Sequence, residues 1–220
     1  MSTYHLHIPR TGGVFIREKI IKQLDNVFSG HRDKLPNSFS GYDHVSGHFA
    51  TTPIADVDHN FAVVREPISL TFSYINYMRD VFYPNWSFDD LFYFYLETNR
   101  LDSFVNINTK FLTGVTDVDL YNKGIEDLKV VAESSWYVKD YALEAATAID
   151  IIATNRTDII FFEDRDRVNI VCNIYGLEAE NRKLNTSSDI TPDVFSRHYR
   201  TIKDLNELDI ATYLKLKEVS

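Results

Sequence analysis

Cysteine is almost missing from this sequence of 220 residues: Cys172 stands alone. A disulfide framework and a CxxC metal site are both excluded, and a chain of this length buries an adequate core without either. A reducing compartment fits that usage. Long apolar runs are missing too. None approaches the roughly 20 residues that a membrane-spanning helix needs. The start of the chain has no basic-then-apolar signal pattern, since Met1-Ser2-Thr3 runs straight into an alternating stretch. These absences read as a soluble, cytoplasmic protein. Positive charge is in short supply, with 23 Lys and Arg against 32 Asp and Glu and a formal charge of −9. Non-specific nucleic-acid binding, which depends on a basic face, is disfavoured. The same field would repel a long, heavily sulfated polysaccharide. There are no repeats, low-complexity tracts or internal linkers, so residues 1–220 read as one domain.

What is present is concentrated at the beginning. Tyr4-His5-Leu6-His7-Ile8 alternates in the manner of a strand, meets Pro9, and continues as Arg10-Thr11-Gly12-Gly13. Ile16, Ile20, Ile21 and Leu24 then recur at helical spacing. Strand, tight loop and helix start follow one another. Paired glycines let successive N–H groups turn toward one anion, and the helix start and Arg10 add positive character. The loop is neither GxxxxGK(S/T) nor GxGxxG. A second anion-holding candidate follows Asn60-Phe61-Ala62-Val63-Val64, a continuously apolar run expected of a buried parallel strand. Arg65 sits at its carboxyl end, Glu66-Pro67 starts a helix, and Ser73 lies further along it.

His7-Ile8-Pro9-Arg10-Thr11-Gly12-Gly13 resembles the HIPKTGG-type loop of carbohydrate sulfotransferases of the heparan sulfate 2-O-sulfotransferase group. Phe61-Ala62-Val63-Val64-Arg65-Glu66-Pro67, continuing to Ser73-Tyr74, is similar to that family's VxRDPxxRxxSxY block. Asn106-Ile107-Asn108-Thr109-Lys110-Phe111-Leu112-Thr113-Gly114 and Leu208-Asp209-Ile210-Ala211-Thr212-Tyr213 agree with two further blocks, in the same order. The resemblance implies an α/β, P-loop-like three-layer fold, with a central parallel sheet flanked by helices. It also implies a donor, PAPS (3′-phosphoadenosine 5′-phosphosulfate), leaving as PAP without a metal. Arg10, Thr11, Gly12, Gly13, Val14 and Phe15 would hold its phosphosulfate, and Arg65 and Ser73 its 3′-phosphate. Arg182-Lys183 would close over the nucleotide. Ser46-Gly47-His48-Phe49 resembles the segment carrying the family's catalytic histidine, which makes His48 the general base, with His44 as a local rival. An imidazole suits removal of a proton from an acceptor hydroxyl at neutral pH.

Along the rest of the chain, 30–47 reads as a Gly-, Pro-, Ser- and Asn-rich loop that brings His44 and His48 toward the donor. The aromatic stretch Phe72–Glu97 reads as two helices broken at Pro84, mostly core. Trp86, in the connection, is the ring best placed to meet a saccharide acceptor, with His44 beside it as a substrate contact. Helices are expected over 120–131 and 139–149. A buried strand is expected over 158–163, then a helix from about Asp164 to Tyr175 that ends at Gly176, a polar loop over 178–188, a helix opened by Thr191-Pro192, and a last helix from about Asn206.

The sequence departs from the family pattern at Arg10, where Lys is usual, at Val14-Phe15, where hydroxyl side chains are usual, and at Leu70, which replaces a second Arg. Two readings follow. One is a PAPS-dependent O-sulfotransferase with Arg10 and His48 as catalytic residues, acting on the hydroxyl of an acceptor, a saccharide by analogy. The other is a degenerate sulfotransferase fold that binds a nucleotide, ligand or partner without turnover. A kinase would need Mg²⁺ carboxylates and a Walker lysine, and neither is placed. A metal site on His5 and His7, which share a strand face, lacks a third ligand.

Overall fold

The alternating run at the start of the chain becomes the central strand of a five-stranded, all-parallel sheet of order β2-β3-β1-β4-β5. The computed structural model describes residues 2–30, 38–47, 57–98, 100–101, 104–113, 149–150, 152–153, 156–178 and 190–219. The strands are β1 (Thr3–Leu6), β2 (Val27–Gly30), β3 (His44–Gly47), β4 (His59–Val64) and β5 (Thr157–Phe161). Thr3 is level with His44 and His59, and Leu6 with Gly47 and Ala62. The helices expected over 120–131 and 139–149, apart from residue 149 and its neighbour 150, lie outside the described residues.

An all-parallel sheet must be covered on both faces, and β4 shows how the sequence arranges this. Its side chains alternate between two apolar clusters. Phe61 and Val63 join Ile16, Ile20, Ile160, Val171 and Cys172 on one side. Ala62 and Val64 join Tyr4, Leu6, Ile68, Phe72, Ile75 and Phe92 on the other. The chain is therefore α/β with a parallel sheet between helical layers. The first face carries α1 (Gly13–Phe15) with the turns that continue it, and α5 (Arg167–Ile174). The second carries α2 (Pro67–Phe82), α3 (Phe88–Glu97), α4 (Ile107–Thr113), α6 (Pro192–Leu205) and α7 (Glu207–Val219).

Helix starts follow local chemistry. The Glu66 carboxylate accepts the Ile68 and Ser69 N–H groups ahead of Pro67. Ser87 and Asp90 cap α3 reciprocally, and Thr191 accepts from Val194 N–H ahead of Pro192. Two expectations change. Segment 30–47 is not all loop, because Gly30 closes β2 and 44–47 is β3, a fully buried strand. Among the described residues β2 pairs only with β3, which in turn pairs with β1, so neither short strand is revealed by its neighbours in sequence. The first helix is a composite, a short α-turn followed by a π-turn over Ile16–Ile20 and a 3₁₀ turn over Ile21–Gln23.

A buried carboxylate ties the second layer together. Asp209, early in α7, is 0% exposed. It accepts the backbone N–H groups of Asn108 at 3.0 Å and Thr109 at 2.7 Å, and Asn108 Nδ2 at 3.1 Å. These are amides that the start of α4 cannot satisfy within its own helix. Burial pushes the Asp209 pKa up, while bonds from Thr109 and Asn108 and the Lys110 charge hold it down. Asn206 adds a second knot, taking Asn106 N–H at 2.9 Å and the Thr71 hydroxyl at 3.3 Å. Asp209→Ala would strand three buried donors, a loss of roughly 3 kcal/mol of unfolding free energy. A urea midpoint unchanged from wild type would refute that role.

Candidate anion-binding site

β1 and β4 lie side by side, but the chain leaves them in opposite directions. After β1 it passes to the face that buries Ile16 and Ile20, and after β4 to the face that buries Ile68 and Phe72. Their loops part at the carboxyl edge, where open parallel sheets usually form a crevice that takes the ligand.

The loop after β1 forms one wall. Arg10 has φ 65 and Gly12 φ 100. Left-handed backbone is easy for Gly12 and costs Arg10 on the order of 1 kcal/mol or more, strain of the kind that gathers at functional sites. The buried Thr11 hydroxyl donates to Ile8 O at 2.7 Å and closes the turn from within. Gly12 O then accepts Phe15 N–H at 2.9 Å. The backbone N–H groups of Thr11, Gly12, Gly13 and Val14 donate to none of the described residues. Four consecutive donors are thus left for an anion. Gly13 has a separate reason to be glycine, since a Cβ there would sit 1.8 Å from His7 Nε2. The His7 ring in turn stacks on His5, centroids 5.2 Å apart, and His5 on Phe61 at 4.5 Å. The loop floor rests on a column of rings.

Two arginines span the crevice. Arg10 Nε donates to Ser73 Oγ at 3.3 Å, and its guanidinium lies 4.8 Å from the Tyr77 ring centroid. Arg65 Nη1 donates back to Arg10 O at 3.2 Å and its Nε to Ser69 Oγ at 3.1 Å. The Arg65 backbone is itself held, its N–H by Asn108 Oδ1 at 3.4 Å and its carbonyl by Asn108 Nδ2 at 2.9 Å. Glu163, just past β5, accepts Glu66 N–H at 2.9 Å and the Tyr213 hydroxyl at 2.9 Å. Burial lowers the Arg65 pKa, Glu163 opposes this, and the Arg10 charge adds to it. The result is a cationic, amide-lined crevice suited to phosphate or sulfate.

Arg10, Thr11, Gly12, Gly13, Arg65 and Ser73 lie together at the carboxyl edge of the sheet. Their partnerships differ in detail: Ser73 engages Arg10, whereas Arg65 engages Ser69. Val14 is exposed, and Phe15 turns to the core. Leu70 is buried among apolar side chains, so the position where the family has a second Arg is interior here.

His44 needs correction as a substrate contact. It is the first residue of β3, at the amino edge of the sheet, about 10 Å of strand below the level of Leu6. It is 0% exposed, and its Nδ1 pairs with the Tyr175 hydroxyl at 2.6 Å. Trp86 is not beside the crevice either. It packs on Tyr83 and Phe94 beyond the end of α2, which runs about 13 Å from Ser73 to Phe82. His48, Arg182 and Lys183 lie outside the described residues. Three participants were missed: Ser69, Phe162 and Arg167. The four-residue spacing of Arg65 and Ser69 on a helix start could have exposed the first. Phe162 and Arg167 join the site only through the pairing of β5 with β4, which no local pattern announces. Among the described residues, no group of three or more His, Cys, Asp or Glu side chains is arranged to hold a metal. No helix there is long and apolar enough to cross a membrane.

Comparison with protein-family models, curated proteins and solved structures finds no match in any of the three.

The His44 environment gives a pH dependence. Burial lowers its pKa from 6.5 to about 4. The unfolded chain takes up this proton first, so stability present above pH 6.5 falls progressively toward pH 4, by about 3 kcal/mol in all. His44→Gln should flatten this part of the urea-midpoint profile between pH 7 and 4.5. An acid slope identical to wild type would refute the assignment.

Proposed function

We propose that the chain is a PAPS-dependent O-sulfotransferase, transferring a sulfuryl group to an acceptor hydroxyl, that of a saccharide by family analogy. The observation that carries this is the crevice itself. Four consecutive loop amides, Thr11 to Val14, stand beside Arg10 and Arg65, and the Arg65 guanidinium donates to the Arg10 carbonyl across the gap. A parallel sheet with a glycine loop after its central strand supports the P-loop-like fold that this reading requires. The motif resemblance supplies the choice of sulfate over other anions.

In this reading the acceptor oxygen attacks sulfur in line, the bond from sulfur to the bridging phosphate oxygen breaks, and the hydroxyl proton passes to His48. PAP departs with the electron pair. Loop amides and Arg10 stabilise the charge that grows on it, the largest single effect expected of such a site. Arg10, in place of the usual Lys, keeps the positive charge but not the compact ammonium. Its guanidinium is oriented by Ser73 and Tyr77. Gly47, the residue before His48, ends β3 level with Leu6, at the carboxyl edge where the loop begins.

A second reading is a fold that binds the nucleotide without transfer. It is favoured by the loop side chains, since the Thr11 hydroxyl is turned to Ile8 O and Val14 and Phe15 offer none. Backbone amides and the Arg10 guanidinium, with no hydroxyl from the loop, are left to grip the phosphosulfate.

Calorimetric titration with PAP, PAPS and ATP with Mg²⁺ tests both. PAP should bind without metal, and Arg65→Ala should weaken it about 10- to 100-fold. Absence of PAP binding to the wild type would end the sulfotransferase reading, and PAP binding with no transfer to any acceptor would favour the second. In an active enzyme, His48→Ala should lower kcat by about 10²- to 10⁴-fold with PAP affinity intact. Equal losses in both would remove His48 as the base.

A further inference from the structure

Arg10 is held on α2 by a hydrogen bond and by a ring. Its Nε donates to Ser73 Oγ at 3.3 Å, and its guanidinium lies 4.8 Å from the centroid of Tyr77. Ser69, Ser73 and Tyr77 recur at four-residue intervals and so share one side of the helix. Ser69 takes the Nε of Arg65. One stripe of α2 therefore meets both arginines, at points about 6 Å apart along the helix axis. Its first two positions offer a hydroxyl. The third offers a ring face, which attracts a cation without neutralising it.

The Tyr77 ring is braced for that task. It is half-buried. Tyr74 lies against it with centroids 6.5 Å apart, and Tyr74 in turn packs on buried Phe104 at 5.1 Å. Phe82 meets it edge-on at 6.4 Å and 86°. Arg10 needs such a hold. It starts from left-handed backbone, φ 65, and its charge works against that of Arg65. A guanidinium that lies on a fixed ring and is bonded through Nε is set in both plane and direction. A lysine ammonium has neither a plane nor an Nε to hold.

We propose that Tyr77 is a positioning residue of the anion site: its ring fixes the plane of the Arg10 guanidinium, and the two residues act on a bound anion as a pair. The identity of that anion as PAP rests on the sulfotransferase reading; the pairing of Arg10 with Tyr77 does not. Tyr77 acts through Arg10 and makes no bond to the reacting group. Arginine at position 10 is then part of how this site is built, since α2 supplies both a hydroxyl for its Nε and a ring for its face.

A double-mutant cycle tests the pair. PAP and inorganic phosphate are titrated into wild type, Tyr77→Leu, Tyr77→Phe, Arg10→Gln and the Arg10→Gln, Tyr77→Leu double variant. Far-UV circular dichroism and melting temperature confirm that each folds, and Tyr77→Met takes the place of Tyr77→Leu if that variant does not. Tyr77→Leu should weaken PAP about 3- to 30-fold. Tyr77→Phe, which keeps the ring face, should recover most of that loss. Once Arg10→Gln has removed the cation, Tyr77→Leu should change the affinity by less than about twofold. Equal losses in the two backgrounds, no loss in either, or a Tyr77→Phe as weak as Tyr77→Leu would overturn the proposal. If the wild type does not bind PAP, the sulfotransferase reading falls, and the pair is decided by the rise in melting temperature that phosphate causes. A rise that Tyr77→Leu reduces and Tyr77→Phe restores keeps the pair. A rise that Tyr77→Leu leaves unchanged, or no rise in the wild type, removes it.

Discussion

The buried carboxylate of Asp209 is the constraint from which the crevice hangs. It binds the first amides of α4 and the Asn108 side chain, and that same side chain holds both backbone groups of Arg65. A helix near the end of the sequence thus fixes where a strand in its first third stops. An ionised group without solvent is expensive unless its oxygens are filled, and here the donors that fill them belong to the elements that must stay in place. Glu163 does similar work nearer the surface, joining the residue after β5, the start of α2 and Tyr213 of α7. Four segments, the β4–α2 junction, α4, the turn after β5 and α7, are registered to one another by two carboxylates.

The crevice also depends on the order of the strands. With β1 between β3 and β4, the chain exits β1 toward one helical layer and β4 toward the other. The two loops separate without any steric device to hold them apart. The cations span that gap through contacts to backbone and hydroxyl oxygens, which orient a guanidinium without cancelling its charge. An overall negative protein can in this way keep a local positive potential.

Much of this was legible in the sequence where the signal is local. The apolar run Phe61–Val64, the caps at Glu66-Pro67 and Thr191-Pro192, and the break at Pro84 each state their own structure. So does the glycine loop. Legibility failed where partners come from afar. The two short strands on either side of 31–43 have too few residues for a periodic pattern, and they are strands because of their neighbours. His44 looked like a polar-loop histidine because a Gly-, Pro- and Ser-rich stretch precedes it, yet the backbone carries it into the core to meet Tyr175. Arg167 stands among alternating charges in Glu163-Asp164-Arg165-Asp166-Arg167. Only the sheet brings it over the same ring as Arg65.

The ring beneath the loop has a consequence for how such a sequence can drift. The His7 imidazole fills the space that any side chain at position 13 would need, and it is held there by the stack through His5 to Phe61. Positions 7 and 13 are therefore one unit of substitution. A chain that gives up Gly13 must first have traded His7 for something smaller, and a chain that keeps a flat ring at 7 is confined to glycine at 13. Among relatives of this protein, position 13 should depart from glycine only where position 7 no longer carries a ring.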